Sequence, residues 1–261
     1  MKTYILLSLS FALLCGASAL KEEEAKRTAE FQSAVVSITR RFPPEKIGEK
    51  YITSSQGTAW FFQTRSHLIT IEHVVTEPDL SKDGWTEVWL GQQNPDDPDD
   101  VRSERCEVRL LQIIPSEKGE GLALLELRQA FKWGKILEPA KEPCEEGDEV
   151  FSLGYVGGYL AYASGASHGI GKPDEAENTR EGIPLYELTD NIDRQSFNSG
   201  ASGSPILNTK GKVVGVASIL LGHEYYSVSI LGKNMEIGTA WGQPTHKAAP
   251  VDKLLNFKFP D

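Results

Sequence analysis

The stretch Phe197–Pro205, FNSGASGSP, constrains this chain more than any other. It sets Ser202 among glycines, closes the turn with Pro205, and leads into the apolar run Lys212–Ser218 (KVVGVAS). Glycines admit backbone conformations that aim successive N–H groups inward. A serine hydroxyl becomes a usable nucleophile when a base removes its proton and such N–H groups face the developing oxyanion. The fold must therefore hold a glycine-bearing turn in place and deliver a base to it.

Two upstream blocks are candidate partners for that turn. HLITIEHVV carries His73 in an apolar, strand-compatible run, and GLALLEL spans Gly121–Leu127. Around them, 24 Gly and 14 Pro punctuate short apolar runs, which is the pattern of an all-β chain with many turns. A first group of strands is expected at Ser33–Thr39, Thr58–Gln63, Leu68–Val75, Glu87–Leu90, Glu107–Ile114 and Leu122–Leu127. A second group is expected at Glu149–Gly154, Tyr159–Ser164, Leu185–Leu188, Pro205–Leu207 and Val213–Ile219, with Ala130–Pro143 crossing between the groups. Short helices are expected at Lys21–Phe31 and Val251–Phe257. Strands at this spacing, without long helices between them, suggest barrels or sandwiches.

The first 19 residues read as an export signal. Lys2 is the only charge, Ile5–Leu14 is mostly apolar, and Ala17, Ser18 and Ala19 supply small residues for cleavage. The apolar run is too short to span a membrane and no later one approaches 18 residues. The expected location is periplasmic or secreted. The formal net charge is −10, and loss of Lys2 with the leader makes it one unit more negative. Nucleic acid and anionic membrane both demand a basic face, so neither is expected as a partner.

Cys106 and Cys144 then remain, and in an oxidising compartment a disulfide between them is one reading; two separate buried thiols is the other. There is no CxxC and no Cys/His cluster, so no zinc site is assigned, and no cofactor is called for. The stretch NPDDPDD, with Asp96, Asp97, Asp99 and Asp100, reads as a solvated acidic loop, although its oxygens would also suit calcium. Gly165–Gly169 (GASHG) matches the GxSxG elbow of α/β-hydrolases. The Ile-Gly-Lys-Pro that follows breaks the helix such an elbow requires.

Several blocks together resemble the trypsin-like serine proteases, and within them the bacterial HtrA/Deg-type branch. They are GTAWFF from Gly57, HLITIEHVV from His67, GLALLEL from Gly121, EEGDEVFSLGY from Glu145, NSGASGSP from Asn198 and AAPVDKLL from Ala248. The resemblance implies an all-β domain over residues 20–261, built of two six-stranded antiparallel β-barrels with short terminal helices. The barrels would cover about 33–129 and 146–245, with a C-terminal helix at about 251–257 and the active site in the cleft between barrels. It implies a serine endopeptidase acting on polypeptides, with Ser202 as nucleophile, His73 as general base, and the N–H groups of Gly200 and Ser202 as oxyanion hole. HtrA-like chains usually continue into a PDZ domain, whereas this sequence stops just after PVDKLL, so a PDZ-less enzyme is expected.

One position departs from the pattern. Where these proteases carry the aspartate that orients the histidine, this chain has Gly121. Three readings stay open: Glu120 swings in as a substitute acid, a Ser–His dyad works at reduced rate, or the chain is an inactive pseudoprotease that binds peptides. Specificity is carried over at Ser196, Ser218 and Leu220. An uncharged Ser196 at the pocket floor disfavours Arg and Lys, and a bulky Leu220 at the wall favours small aliphatic side chains.

Overall fold

The computed structural model describes residues 21–41, 54–76, 80, 84–94, 97–115, 121–132, 134–156, 158–170, 184–190, 200–221, 225–230, 233–238, 245–249, 251, 254–255 and 257. Helix α1 covers 21–31 and runs through a 3-10 turn, Gln32–Ala34, into β1 (Val35–Arg41). Then come β2 (Ser54–Phe61), β3 (His67–Ile71), the one-turn helix α2 (His73–Thr76), β4 (Thr86–Asn94), β5 (Asp97–Ile114) and β6 (Leu122–Leu127). The second half holds β7 (Glu149–Val156), β8 (Tyr159–Ile170), β9 (Pro184–Asp190), β10 (Pro205–Asn208) and β11 (Val213–Leu221). β12 (Tyr225–Ile230), β13 (Lys233–Gly238) and β14 (Thr245–Ala249) follow.

Strands β1–β6 close into one barrel in the order β1-β2-β3-β6-β5-β4. A second barrel closes in the order β10-β11-β14-β9-β8-β7, and β12 and β13 pair as a separate two-stranded sheet. All pairings between these named strands are antiparallel, so the two six-stranded barrels are as expected. The near-continuous apolar runs LITI and LALLEL become β3 and β6 because both faces of these strands are covered; Leu68, Ile69, Ile71, Leu124 and Leu125 are fully buried.

Two local expectations need correction. His73 does not sit on a strand: β3 stops at Ile71, and the carbonyl of Glu72 accepts the amides of Val75 and Thr76, which winds the next residues into α2. Most of the acidic stretch is not a loop, since Asp97, Asp99 and Asp100 lie within β5, whose long hairpin with β4 puts Asn94 opposite Asp97. Of the expected C-terminal helix only Val251, Leu254, Leu255 and Phe257 are described; Leu254 N–H donates to the Val251 carbonyl and lies in a 3-10 turn, and Phe257 N–H donates to the Leu254 carbonyl. The β12–β13 hairpin was not anticipated at all, and the leader lies outside the described residues.

The barrels share one apolar cluster. It joins Trp60, Phe61 and Leu68 of the first barrel to Phe151, Leu153, Tyr155 and Val216 of the second. Phe31 at the end of α1 packs on Phe151 with ring centroids 5.5 Å apart, while Arg27 sits over the same ring and pairs with Glu149. The crossing segment is stitched to both barrels: Leu137 N–H donates to Phe61, and Val213 N–H donates to Glu138. Buried Tyr155 also spans the junction, its hydroxyl accepting the Gln93 N–H at 2.7 Å.

Cys106 and Cys144 are both free thiols, so the disulfide is not formed. Cys106 stands on β5 opposite Val88 and packs against the shared cluster, whereas Cys144 belongs to a smaller cluster with Val150, Ala161 and Ile206 in the second barrel. Burial pushes each thiol up to about 11, with Glu104 adding to this at Cys106 and Asp148 at Cys144. The thiolate is the reactive form. A disulfide reagent at pH 8 should therefore label the folded protein slowly, with a rate rising about tenfold per pH unit toward 11, and should find two thiols after denaturation without reductant. Failure to find them would mean a disulfide forms after all.

Candidate active site

The turn around Ser202 is fixed from below by β11. Gly203 N–H donates to Ala217, Ala217 N–H donates to Ser204, and Ser204 N–H closes the turn on Ala201. It is fixed from the side by β2 of the other barrel. Thr58 N–H donates to the Ser202 carbonyl at 2.8 Å, and the Thr58 hydroxyl donates to the Gly200 carbonyl at 2.9 Å. The same hydroxyl accepts the Tyr155 N–H at 2.9 Å, and Thr70 Oγ1 donates to the Thr58 carbonyl at 2.7 Å.

This close approach explains the glycines. Gly200 and Gly203 have φ of 96° and 89°, in the left-handed region that other residues avoid. A Cβ on Gly203 would stand 2.1 Å from the Thr58 carbonyl oxygen and 2.2 Å from Thr70 Oγ1. With the carbonyls of Gly200 and Ser202 both engaged by Thr58, the N–H groups of these two residues form no hydrogen bond among the described residues.

His73 opens α2, half-buried, immediately beyond β3. Gly57 marks where this segment meets the serine turn. A Cβ placed there would lie 2.6 Å from the Val74 side chain and 3.2 Å from the Ser202 carbonyl oxygen. The fold thus brings the His73–Val74 turn and the Ser202 turn to one point on β2.

Gly121 lies beside this point in the sheet. The β3–β6 register runs His67↔Glu126 to Ile71↔Leu122, so the next residues, Glu72 and Gly121, face each other across the strands. Glu72 N–H donates to the Gly121 carbonyl at 2.9 Å. The return bond does not use the Glu72 carbonyl, which is committed to α2. Instead Gly121 N–H donates to the Glu72 carboxylate, Oε2, at 3.1 Å. This Glu72–Gly121 contact joins residues far apart in the sequence and was not anticipated from it.

The other site residues divide by position. Glu120 and Ser196 lie outside the described residues. Ser218 is half-buried on β11, and Leu220 pairs with His246 on β14. Ser167 of the GxSxG match is buried within β8, with its N–H bonded to Asp148, so no nucleophile elbow exists there. Among the described residues no group of three His, Cys, Asp or Glu is placed to hold a metal ion.

Two closed β-barrels joined along a shared core, with a glycine-bearing serine turn and a histidine turn meeting at their junction, define the class of trypsin-like peptidases. The profile of the trypsin-like peptidase domain family matches residues 57–216, and the chain belongs to that family. Its fold is that of a solved structure described as Deg5, which is 16% identical, with 90% of this chain and 92% of that one covered and a TM-score of 0.54. The active form of the Rv3671c protease from M. tuberculosis is likewise similar in fold, at 17% identity, 87% and 80% coverage and a TM-score of 0.51. A search of curated protein sequences gives no match.

The serine turn supplies a direct test of this geometry. Gly203→Ala should destabilise the protein by about 3 kcal/mol or more in urea denaturation, because the new methyl meets a backbone carbonyl in a strained conformation. A change below about 0.5 kcal/mol would show that the turn does not press on β2.

Proposed function

We propose that this chain is an exported serine endopeptidase that cleaves peptide bonds by acyl transfer. Ser202 Oγ attacks the scissile carbonyl while His73 takes its proton, and the oxyanion that forms is received by the N–H groups of Gly200 and Ser202. His73 then gives the proton to the leaving amine, and water repeats the sequence in reverse to release the acyl group. No cofactor or metal is called for. The observation that carries this reading is the serine turn itself. Thr58 holds the carbonyls of Gly200 and Ser202 on one side, which favours their N–H groups as the receiving pair, and the His73 turn meets it at Gly57.

In this reading Ser196, Ser218 and Leu220 line the pocket for the residue preceding the cut, which would be small and aliphatic. The leader at 1–19 would direct the enzyme to the periplasm or outside. No helix among the described residues is long and apolar enough to cross a membrane. Gly121 favours a second reading, a pseudoprotease that binds peptides without cutting them, because glycine brings no carboxylate to the histidine.

Labelling of the purified protein with a fluorophosphonate probe at pH 8 separates the two. The proposed enzyme labels at one site, loses labelling in Ser202→Ala, and loses about 10³-fold or more in peptide hydrolysis in His73→Ala. Absence of labelling in the unaltered protein, or labelling that survives Ser202→Ala, would overturn the proteolytic reading in favour of the binding module.

A further inference from the structure

We propose that Tyr159, at the tip of the β7–β8 hairpin, is a contact for the bound polypeptide, its ring receiving an apolar side chain close to the cut. The proposal rests on the cleft being a polypeptide site, which the protease and the pseudoprotease readings share, and deepens it.

The first observation is the course of β2. Thr58 and Gln56 are two residues apart on this strand, so their side chains share one face. On that face the Thr58 hydroxyl donates to the Gly200 carbonyl at 2.9 Å and accepts the Tyr155 N–H at 2.9 Å. Gln56 lies further along, roughly 7 Å away by the rise of a strand. There it meets the hairpin tip, where a Cβ on Gly158 would lie 3.5 Å from Gln56 Nε2. The tip therefore follows the serine turn along the same strand. An extended peptide covers that interval in about two residues.

The second observation is the face of the hairpin. Side chains on β7 alternate: Leu153 and Tyr155 enter the core shared by the barrels, while Val150 and Val156 pack in the smaller cluster. That cluster also holds Ala161 of β8 and Ala201, the residue before Ser202. Tyr159 pairs directly with Val156, and residues opposite one another project from the same face. Its side chain thus lies on the face of the hairpin that carries Ala161, which is buried two residues further along β8.

The third observation is exposure. Tyr159 is 71% exposed, the most open large hydrophobic side chain among the described residues, and its ring has no hydrogen-bond or ring partner among them. A lone exposed aromatic needs no explanation by itself. Here its placement supplies one. A tyrosine ring is broad, rigid and amphipathic and loses little conformational freedom when covered, so it suits a contact made only when a peptide is bound.

The test separates a peptide contact from a structural role. Tyr159→Ala should keep the thermal midpoint of the unaltered protein. It should also label with a fluorophosphonate at the unaltered rate, because that probe has no peptide to reach the hairpin. Its KM for fluorescein-labelled casein should rise about three- to tenfold with kcat little changed, the size expected of one aromatic contact. Tyr159→Phe should keep the unaltered KM. If Tyr159→Ala cleaves casein with unchanged KM while labelling depends on Ser202, this proposal falls and the proteolytic reading stands. If the unaltered protein does not label, the Kd for the same casein by fluorescence anisotropy takes the place of KM. Binding weakened about three- to tenfold in Tyr159→Ala then supports the proposal on the binding-module reading. Equal binding, or none by the unaltered protein, overturns it.

Discussion

Thr58 holds the molecule's two halves to one another at the place where chemistry would occur. Its amide and hydroxyl reach from β2 of the first barrel to the carbonyls of Ser202 and Gly200 in the second, and its hydroxyl also receives the amide of Tyr155. Thr58 is fully buried, so none of these groups can turn to water instead. A buried donor left without its acceptor costs about 1–3 kcal/mol, which makes the arrangement effectively all-or-none. The glycines follow from it. Gly203 leaves the Thr58 carbonyl room to approach, and Gly57 lets the α2 segment close on the same strand. The separation of the Ser202 turn from the His73 turn is thus governed by β2, a strand that carries neither of them.

Gly121 and Glu72 are matched for a backbone reason. Winding of α2 draws the Glu72 carbonyl away from the sheet, and the Glu72 carboxylate answers the Gly121 N–H in its place at 3.1 Å. A Cβ at residue 121 would stand 2.8 Å from that carboxylate oxygen, so a bulkier residue opposite Glu72 would collide with it. Gly121 without Glu72 would leave a backbone N–H unanswered.

Much of this was legible in the sequence, and the parts that were not have physical reasons. β6 was placed to the residue, because Leu122–Leu127 is an apolar run interrupted only by half-buried Glu126 and otherwise buried on both faces. The serine turn was legible from its glycines and proline, which few other structures require. His73 was placed on a strand because apolar residues flank it, Leu68–Ile71 on one side and Val74 and Val75 on the other; what ends the strand is the Glu72 carbonyl turning into α2, a backbone event with no composition signal. The bond from the Gly121 N–H to the Glu72 carboxylate runs across the sheet, and strand register is set by the closing of the barrel, so reading along the sequence could not reveal it. Likewise the acidic stretch before Cys106 looked like a loop from its charge, whereas a long hairpin carries Asp97, Asp99 and Asp100 as part of β5.

The central claim, that Thr58 holds the Ser202 turn in a working geometry, is tested most directly by the rate at which a fluorophosphonate probe labels Thr58→Val. The substitution keeps the amide that donates to the Ser202 carbonyl and removes the hydroxyl that donates to the Gly200 carbonyl. The account predicts that Thr58→Val folds but labels at least about tenfold more slowly than the unaltered protein. Labelling at an unchanged rate would contradict it.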